Sequence, residues 1–364
     1  MGRVAYFVSP HGFGHAARAC AVMAEMGRRR PEIQFDVFTE VPMWFFSESL
    51  PQGFVYHRLV SDVGLVQLSP LTEDLEATVE RLDRAPHDDV ETIRKVADRL
   101  RRLGSSMVIV DISPLGLEAA AAVSVPSVLV ENFTWDWIYR NYPNAPPRLR
   151  DHGRRMTEVF AAADLRIQAE PVCEPMSTAV LVPPVARSPC LERSVVRRRL
   201  GVPAGESMIV VSMGGVPWDY GGFSSFEHTR GPWIVVPGGS KEGVRSQGRL
   251  LLLPFHAEIY HPDLVAASDA VVSKLGYSTV VEAYQAGASL AYITRPRFPE
   301  SPVLERWAKE QMNSVEIREQ ALSDVAWLGS VERLLETPRR KPVEENGAEK
   351  AAEIILEEFA GVLR

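Results

Sequence analysis

Val4-Ala5-Tyr6-Phe7-Val8-Ser9-Pro10-His11-Gly12-Phe13-Gly14-His15-Ala16-Ala17-Arg18 is the stretch from which the rest of the chain is read. The apolar run Val4–Val8 predicts a buried strand, and a helical run begins near Ala16. Gly12 and Gly14 let the backbone turn sharply and come close to a ligand. A helix that starts there points unsatisfied N–H groups into the same space. His11 and His15 add two side chains that move protons near neutral pH. Strand, Gly/His turn and helix together look like half of an active site.

Outward from this stretch the same alternation continues. Strands are expected at 3–9, 34–39, 107–111, 127–131 and 165–168, and helices at 14–29, 75–103, 115–123 and 148–162. The strands are unbroken apolar runs, which suits a parallel sheet covered on both faces. The charged helix 75–103 is expected to break near Pro86. A Pro-rich stretch at 181–189 reads as a linker. After it the alternation restarts: helix 192–200, strands 207–213, 233–237 and 250–254, helix 262–267, strand 270–273, helix 277–286, strand 289–294, then helices 302–320 and 323–336. A final amphipathic helix, within 346–364, carries Ala348, Ala351, Ala352, Ile355, Phe359 and Val362 on one stripe. The expected organisation is a first α/β domain over 1–185, a second over 186–340, and a linker plus helix over 341–364 that packs back on the first domain or the junction.

Composition narrows the function classes. A chain of 364 residues allows roughly two domains. A net charge of -7 argues against general attraction to nucleic acid. The clusters Arg28–Arg30 and Arg197–Arg199 read as solvated helix ends. Cys20, Cys173 and Cys190 are far apart without CxxC spacing, so they read as small buried hydrophobes in a reducing cytosol and not as a disulfide or zinc framework. No run approaches the ~18 apolar residues of a membrane span, and the chain enters its first strand without a signal peptide. A cytoplasmic protein is expected, with peripheral membrane contact left open.

A second Gly-rich turn lies late in the chain, at Ser273-Lys274-Leu275-Gly276-Tyr277-Ser278-Thr279-Val280-Val281-Glu282. It too joins a strand to a helix. Ligands of parallel sheets bind outside the carboxyl ends of strands. Gly276 permits close approach, Ser278 and Thr279 offer hydroxyls beside helix N–H groups, and Lys274 adds a charge, a setting for phosphate oxygens. Glu282, one turn further, suits ribose hydroxyls. An ordinary capped helix with an intrahelical Glu is the plain alternative. Neither turn has the spacing of a dinucleotide fingerprint, and there is no GxxxxGK[ST] loop.

Taken together, these features resemble glycosyltransferases of the GT-B fold, in which two Rossmann-like doubly wound parallel-sheet domains face across a cleft. Within that fold the chain resembles more closely the glycosyltransferase-like N-terminal region of plant L-arabinokinases and their bacterial stand-alone relatives. That resemblance rests on His11–Arg18, Asp62–Gln67, Asn132–Tyr139, Tyr260–Asp269, Lys274–Glu282 and Arg295–Pro302, in order along nearly the whole chain. The galactokinase-like domain of the plant proteins is not represented, so no kinase activity is implied.

The resemblance implies an inverting, metal-independent transfer of a sugar from a nucleoside diphosphate, expected to be UDP, to an acceptor hydroxyl. The nucleotide sugar is a co-substrate, with no further cofactor. It assigns His15 as the base with Asp111 behind it; His11, in the same turn, is the competing base or a group that binds donor phosphate or caps the turn. It places Gly214, Gly215, Lys274, Gly276, Ser278, Thr279 and Glu282 on the donor, with Arg295 and Glu300 nearest its sugar. Gly12, Gly14, Asn132 and Trp135 fall on the acceptor side, where Asp62 and Gln67 are also candidates. Two other readings stay open: a UDP-sugar epimerase or hydrolase of the same fold, and a non-catalytic nucleotide-sugar sensor.

Overall fold

The computed structural model describes residues 2–69, 71–214, 231–254, 259–319 and 326–363. The chain divides into two compact units. The first is Met1–Arg187 with Arg297–Val303 and Glu345–Arg364, and the second is Ser188–Pro296 with Leu304–Glu344. Arg297–Val303, read from sequence as part of the second domain, thus groups with the first.

In the first unit, β1 (Arg3–Val8) runs through the Gly/His turn into α1 (Gly14–Arg29). Next come β2 (Gln34–Thr39), α2 (Met43–Ser49), β3 (Val55–Arg58) and a hairpin of β4 (Val66–Ser69) and β5 (Thr72–Asp74). Then follow α3 (Leu75–Leu82), α4 (Val90–Leu103), β6 (Met107–Asp111), α5 (Pro114–Val123), β7 (Ser127–Glu131), α6 (Trp135–Asn141), α7 (Pro147–Ala161), β8 (Leu165–Ala169) and β9 (Val180–Val182). The sheet order is β3-β2-β1-β6-β7-β8-β9, and each pair is parallel. β1, β6 and β7 are buried along almost their whole length, as continuous apolar runs require. The charged helix breaks at Pro86 as expected. Asp74 caps α3 through the Ala77 N–H, Asp89 caps α4, and Gly104 closes α4 at φ 67.

The second unit holds α8 (Arg193–Arg199), β10 (Met208–Ser212), β11 (Trp233–Ser240), β12 (Arg245–Gln247), β13 (Leu250–Pro254), α9 (His261–Ala267), β14 (Ala270–Lys274), α10 (Tyr277–Ala286) and β15 (Ser289–Ile293). α11 (Ser301–Gln311) begins in the segment counted with the first unit, and β16 (Ser314–Glu316) and α12 (Ala326–Leu335) follow it. The sheet order is β12-β13-β11-β10-β14-β15-β16, with β12 antiparallel to β13. The helix expected over 302–320 stops at Gln311, because Ser314–Glu316 pairs in parallel with β15 instead. Arg197 is not a solvated helix end. It is 4% exposed and donates to the Ala267 carbonyl at 3.1 Å and to Asp269 at 3.3 Å. Cys20 is buried as expected, whereas Cys190 is exposed.

α13 (Gly347–Glu358) packs on α1 with Ala348, Ala351, Ala352 and Ile355 buried. Asn346 fixes its start twice over. Its side chain accepts from the Ala348 and Ala186 N–H groups and donates to the Ala186 carbonyl at 2.8 Å.

Candidate active site

In each sheet the chain leaves its first strand toward one side and later returns on the other. The crevice this opens at the carboxyl ends, between β1 and β6 and between β10 and β14, is where such sheets hold ligands. Both Gly-rich turns lie at these points.

At the first, Val8 of β1 pairs with Asp111, the last residue of β6. The turn then passes Gly12, whose φ of 75 suits glycine, and α1 starts at Gly14. Phe13, at the N-cap, makes no side-chain cap; its ring packs on Phe45 and edge-on to Trp44, with centroids 4.9 and 5.5 Å away. His15, 7% exposed, thereby enters the first turn of α1 with Nδ1 2.7 Å from Asp111 Oδ1. A carboxylate only accepts, so the imidazole donates Nδ1–H and keeps its Nε2 lone pair for another proton.

Asp111 is fully buried and held from a second side by Arg18. Arg18 Nε donates to Oδ2 at 2.7 Å and Nη2 to Oδ1 at 2.8 Å, a bidentate fork. Burial alone would raise the Asp111 carboxyl, but the Arg18 charge and the His15 hydrogen bond outweigh it and hold it below the usual carboxylate range. The next residue, Ile112, is β-branched yet adopts φ 51. Such strain costs about 1–3 kcal/mol and concentrates at functional sites.

The network continues through residues expected on the acceptor side. Arg18 Nη1 donates to Asn132 Oδ1 at 2.5 Å, and Asn132 Nδ2 donates to Glu300 Oε1 at 2.7 Å. Asn132 and Trp135 are both 0% exposed. They do not line an acceptor wall: Asn132 is bound inside the network, and Trp135 packs edge-on to His11 and stacks on Tyr139. Glu300 is likewise buried and grouped with the first unit, where it supports Asn132. His11 is differently placed from His15. Its Nδ1 accepts from the Leu65 N–H at 3.4 Å, which in the neutral ring puts the proton on Nε2 and leaves no lone pair there.

Asp62 lies under the turn and is 2% exposed. It accepts from the Ser9 hydroxyl at 3.1 Å, and Ser9 Oγ in turn accepts from the His11 N–H at 3.4 Å. Burial pushes its carboxyl up to about 7; Ser9 and Trp135 oppose the rise, and the Asp111 charge adds to it. The folded state therefore holds a proton that the unfolded chain has lost above pH ~4. Stability from this group falls as pH rises from about 4 to about 7, by on the order of 4 kcal/mol. Asp62→Asn is accordingly expected to unfold at a higher temperature than the unaltered protein at pH 8, with the gap closing near pH 4. An equal gap at both pH values would contradict this.

At the second crevice, Gly214 follows β10 with φ 72, and a Cβ there would lie 3.3 Å from Lys274 Cε. Gly215 lies outside the described residues. Lys274 ends β14, and Gly276 is the N-cap of α10 with no side chain to cap it. Ser278 and Thr279 sit half-buried in the first turn. Glu282 is 5% exposed, with Oε2 3.3 Å from His261 Nδ1; His261 Nε2 lies 3.3 Å from Ser212 Oγ. Arg295 is also buried. The structure thus gathers Gly214, Lys274, Gly276 and Glu282 around one strand-end, with His261 as a partner not foreseen from sequence.

Arg18 is the main residue that sequence reading passed over. Its sign was present: an arginine inside Ala16-Ala17-Arg18-Ala19-Cys20-Ala21, one helical turn from His15 and on the same face.

No family model matches the chain. In sequence it is similar to L-arabinokinase from Arabidopsis thaliana, at 29% identity over 368 residues, which cover 98% of this chain and 34% of that protein. The chain therefore spans about a third of the length of the curated relative it matches. Among solved structures it resembles UGT89C1 of Arabidopsis thaliana complexed with UDP, with a TM-score of 0.60 at 14% identity over 99% of this chain and 100% of the other. It also resembles MurG of Acinetobacter baumannii, with a TM-score of 0.56 at 14% identity over 99% and 100% of the two chains. With its two mainly parallel sheets, this protein has the GT-B fold of those glycosyltransferases.

Proposed function

We propose that the protein is an inverting glycosyltransferase that moves a sugar from a UDP donor to an acceptor hydroxyl. The observation that carries this reading is the His15–Asp111 pair at the β1/β6 crevice, with Nδ1–H fixed by the carboxylate and Nε2 left to accept. In this reaction the acceptor O–H proton passes to His15 Nε2. The acceptor oxygen bonds to the anomeric carbon, the bond from that carbon to the diphosphate breaks, and UDP leaves. Lys274 and the N–H groups at the start of α10, in place of a metal ion, take up the charge of the leaving group. Glu282 holds the ribose. The UDP complex of a structural neighbour supports the choice of nucleotide.

Thermal unfolding with UDP, GDP and their sugars tests donor binding. UDP at a hundred times its Kd is expected to stabilise the protein by about 2.7 kcal/mol. Lys274→Ala is expected to weaken UDP binding about tenfold, the equivalent of ~1.4 kcal/mol. No shift with any nucleotide would end the reading.

A further inference from the structure

We propose that Arg18 is a positioning residue for His15, supplying in permanent form the positive charge that Asp111 would otherwise draw onto the imidazole as a proton. This rests on the reading of His15 as the base. Asp111 is fully buried, so its charge must be matched inside the protein. Among the described residues two side chains reach it: the Arg18 guanidinium, through both oxygens, and the imidazole, through one, with Arg18 Nη2 itself 3.4 Å from His15 Nδ1. The guanidinium never loses its proton, and its fork is fixed further by Asn132 Oδ1 at 2.5 Å.

With Arg18 present, Asp111 is matched once and His15 donates only Nδ1–H. Without it, Asp111 would face the imidazole with neither bond of the Arg18 fork. Of the other acids in this unit, Glu131 at the end of β7 keeps Arg166, whose Nε donates to its Oε1 at 2.9 Å, Glu300 lies beyond Asn132, and Asp62 beneath the turn has its carboxyl pushed up to about 7 by burial. Asp111 would then hold a second proton on the ring, at Nε2, and remove the lone pair that accepts from the acceptor hydroxyl. Arg18 thus acts through Asp111 and His15, without touching the reacting atoms.

Side-chain 15N NMR of the full chain, without nucleotide, tests this through the titration of His15. In Arg18→Met, half-protonation of His15 is expected about one pH unit higher than in the unaltered protein, or about tenfold tighter proton binding. Arg18→Met with Asp111→Asn removes both charges and is expected to bring the titration back down, which simple loosening of the site would not do. If Arg18→Met does not fold, Arg18→Lys serves. It keeps one charge but cannot span both Asp111 oxygens and Asn132, and is expected to move the titration the same way by about threefold. An unchanged or lowered titration in the variants that fold, or a double variant that titrates with Arg18→Met, would overturn the proposal. No donor is present, so absence of sugar transfer would leave this result standing, and an unchanged titration would leave sugar transfer standing.

Discussion

His15→Ala is expected to lower sugar-transfer turnover by about 10²- to 10⁴-fold, the range that a positioned general base contributes. UDP affinity is expected to stay as it is, because the donor reading rests on Gly214, Lys274 and Glu282 of the second unit. The loss should appear in kcat and not in KM for the donor. His15→Gln is expected to fail equally: its amide can bond to Asp111 but has no lone pair on a basic nitrogen. His11→Ala is expected to cost far less turnover, since its Nδ1 is bound by the Leu65 N–H and its ring packs on Trp135. Steady-state rates and a UDP titration on the same three variants check this. A His15→Ala protein that turns over normally, or a His11→Ala protein that does not turn over, would reverse the assignment.

Asp111→Ala is expected to be the most damaging single change for folding of the first unit. It removes the acceptor of two Arg18 hydrogen bonds and one from His15, all in a site closed to water. Arg18, 2% exposed, would lose both bonds of its fork while remaining a buried charge held by Asn132 Oδ1. Breaking a buried ion pair from one side costs about 3–5 kcal/mol. For a unit of this size that lowers the unfolding midpoint by roughly 10 °C. Pairing the change with Arg18→Met should recover part of the loss, since the stranded charge leaves with it. Calorimetric unfolding of the single and double variants measures both. A double variant less stable than Asp111→Ala alone would show that the charge balance does not set the cost.

The two turns and the two α/β sheets were legible because each depends on local pattern. Val4–Val8 and Ala270–Ser273 are apolar runs long enough to read as buried strands, and each meets glycines where the chain must turn. What was not legible depends on distance along the chain. The fork of Arg18 on Asp111 spans 93 residues, and the bond from Asn132 to Glu300 spans 168. Neither partner announces the other. The resemblance puts Asn132 and Trp135 on the acceptor side, and only the fold shows that both are fully buried. The short strands were missed for another reason. Thr72–Asp74 and Ser314–Glu316 are three residues each, largely polar, and owe their extension to a hairpin partner and to β15.

Proton NMR of the unaltered protein mixed with a panel of α-linked UDP-sugars and a panel of sugar and alcohol acceptors tests the central claim most directly. It follows the anomeric proton, the other ring protons of the sugar and free UDP in one tube. The expected result is release of UDP with a β-configured product from at least one donor, abolished by His15→Ala. Release with the α configuration retained, conversion at the second sugar carbon without transfer, or no consumption of any donor would contradict it.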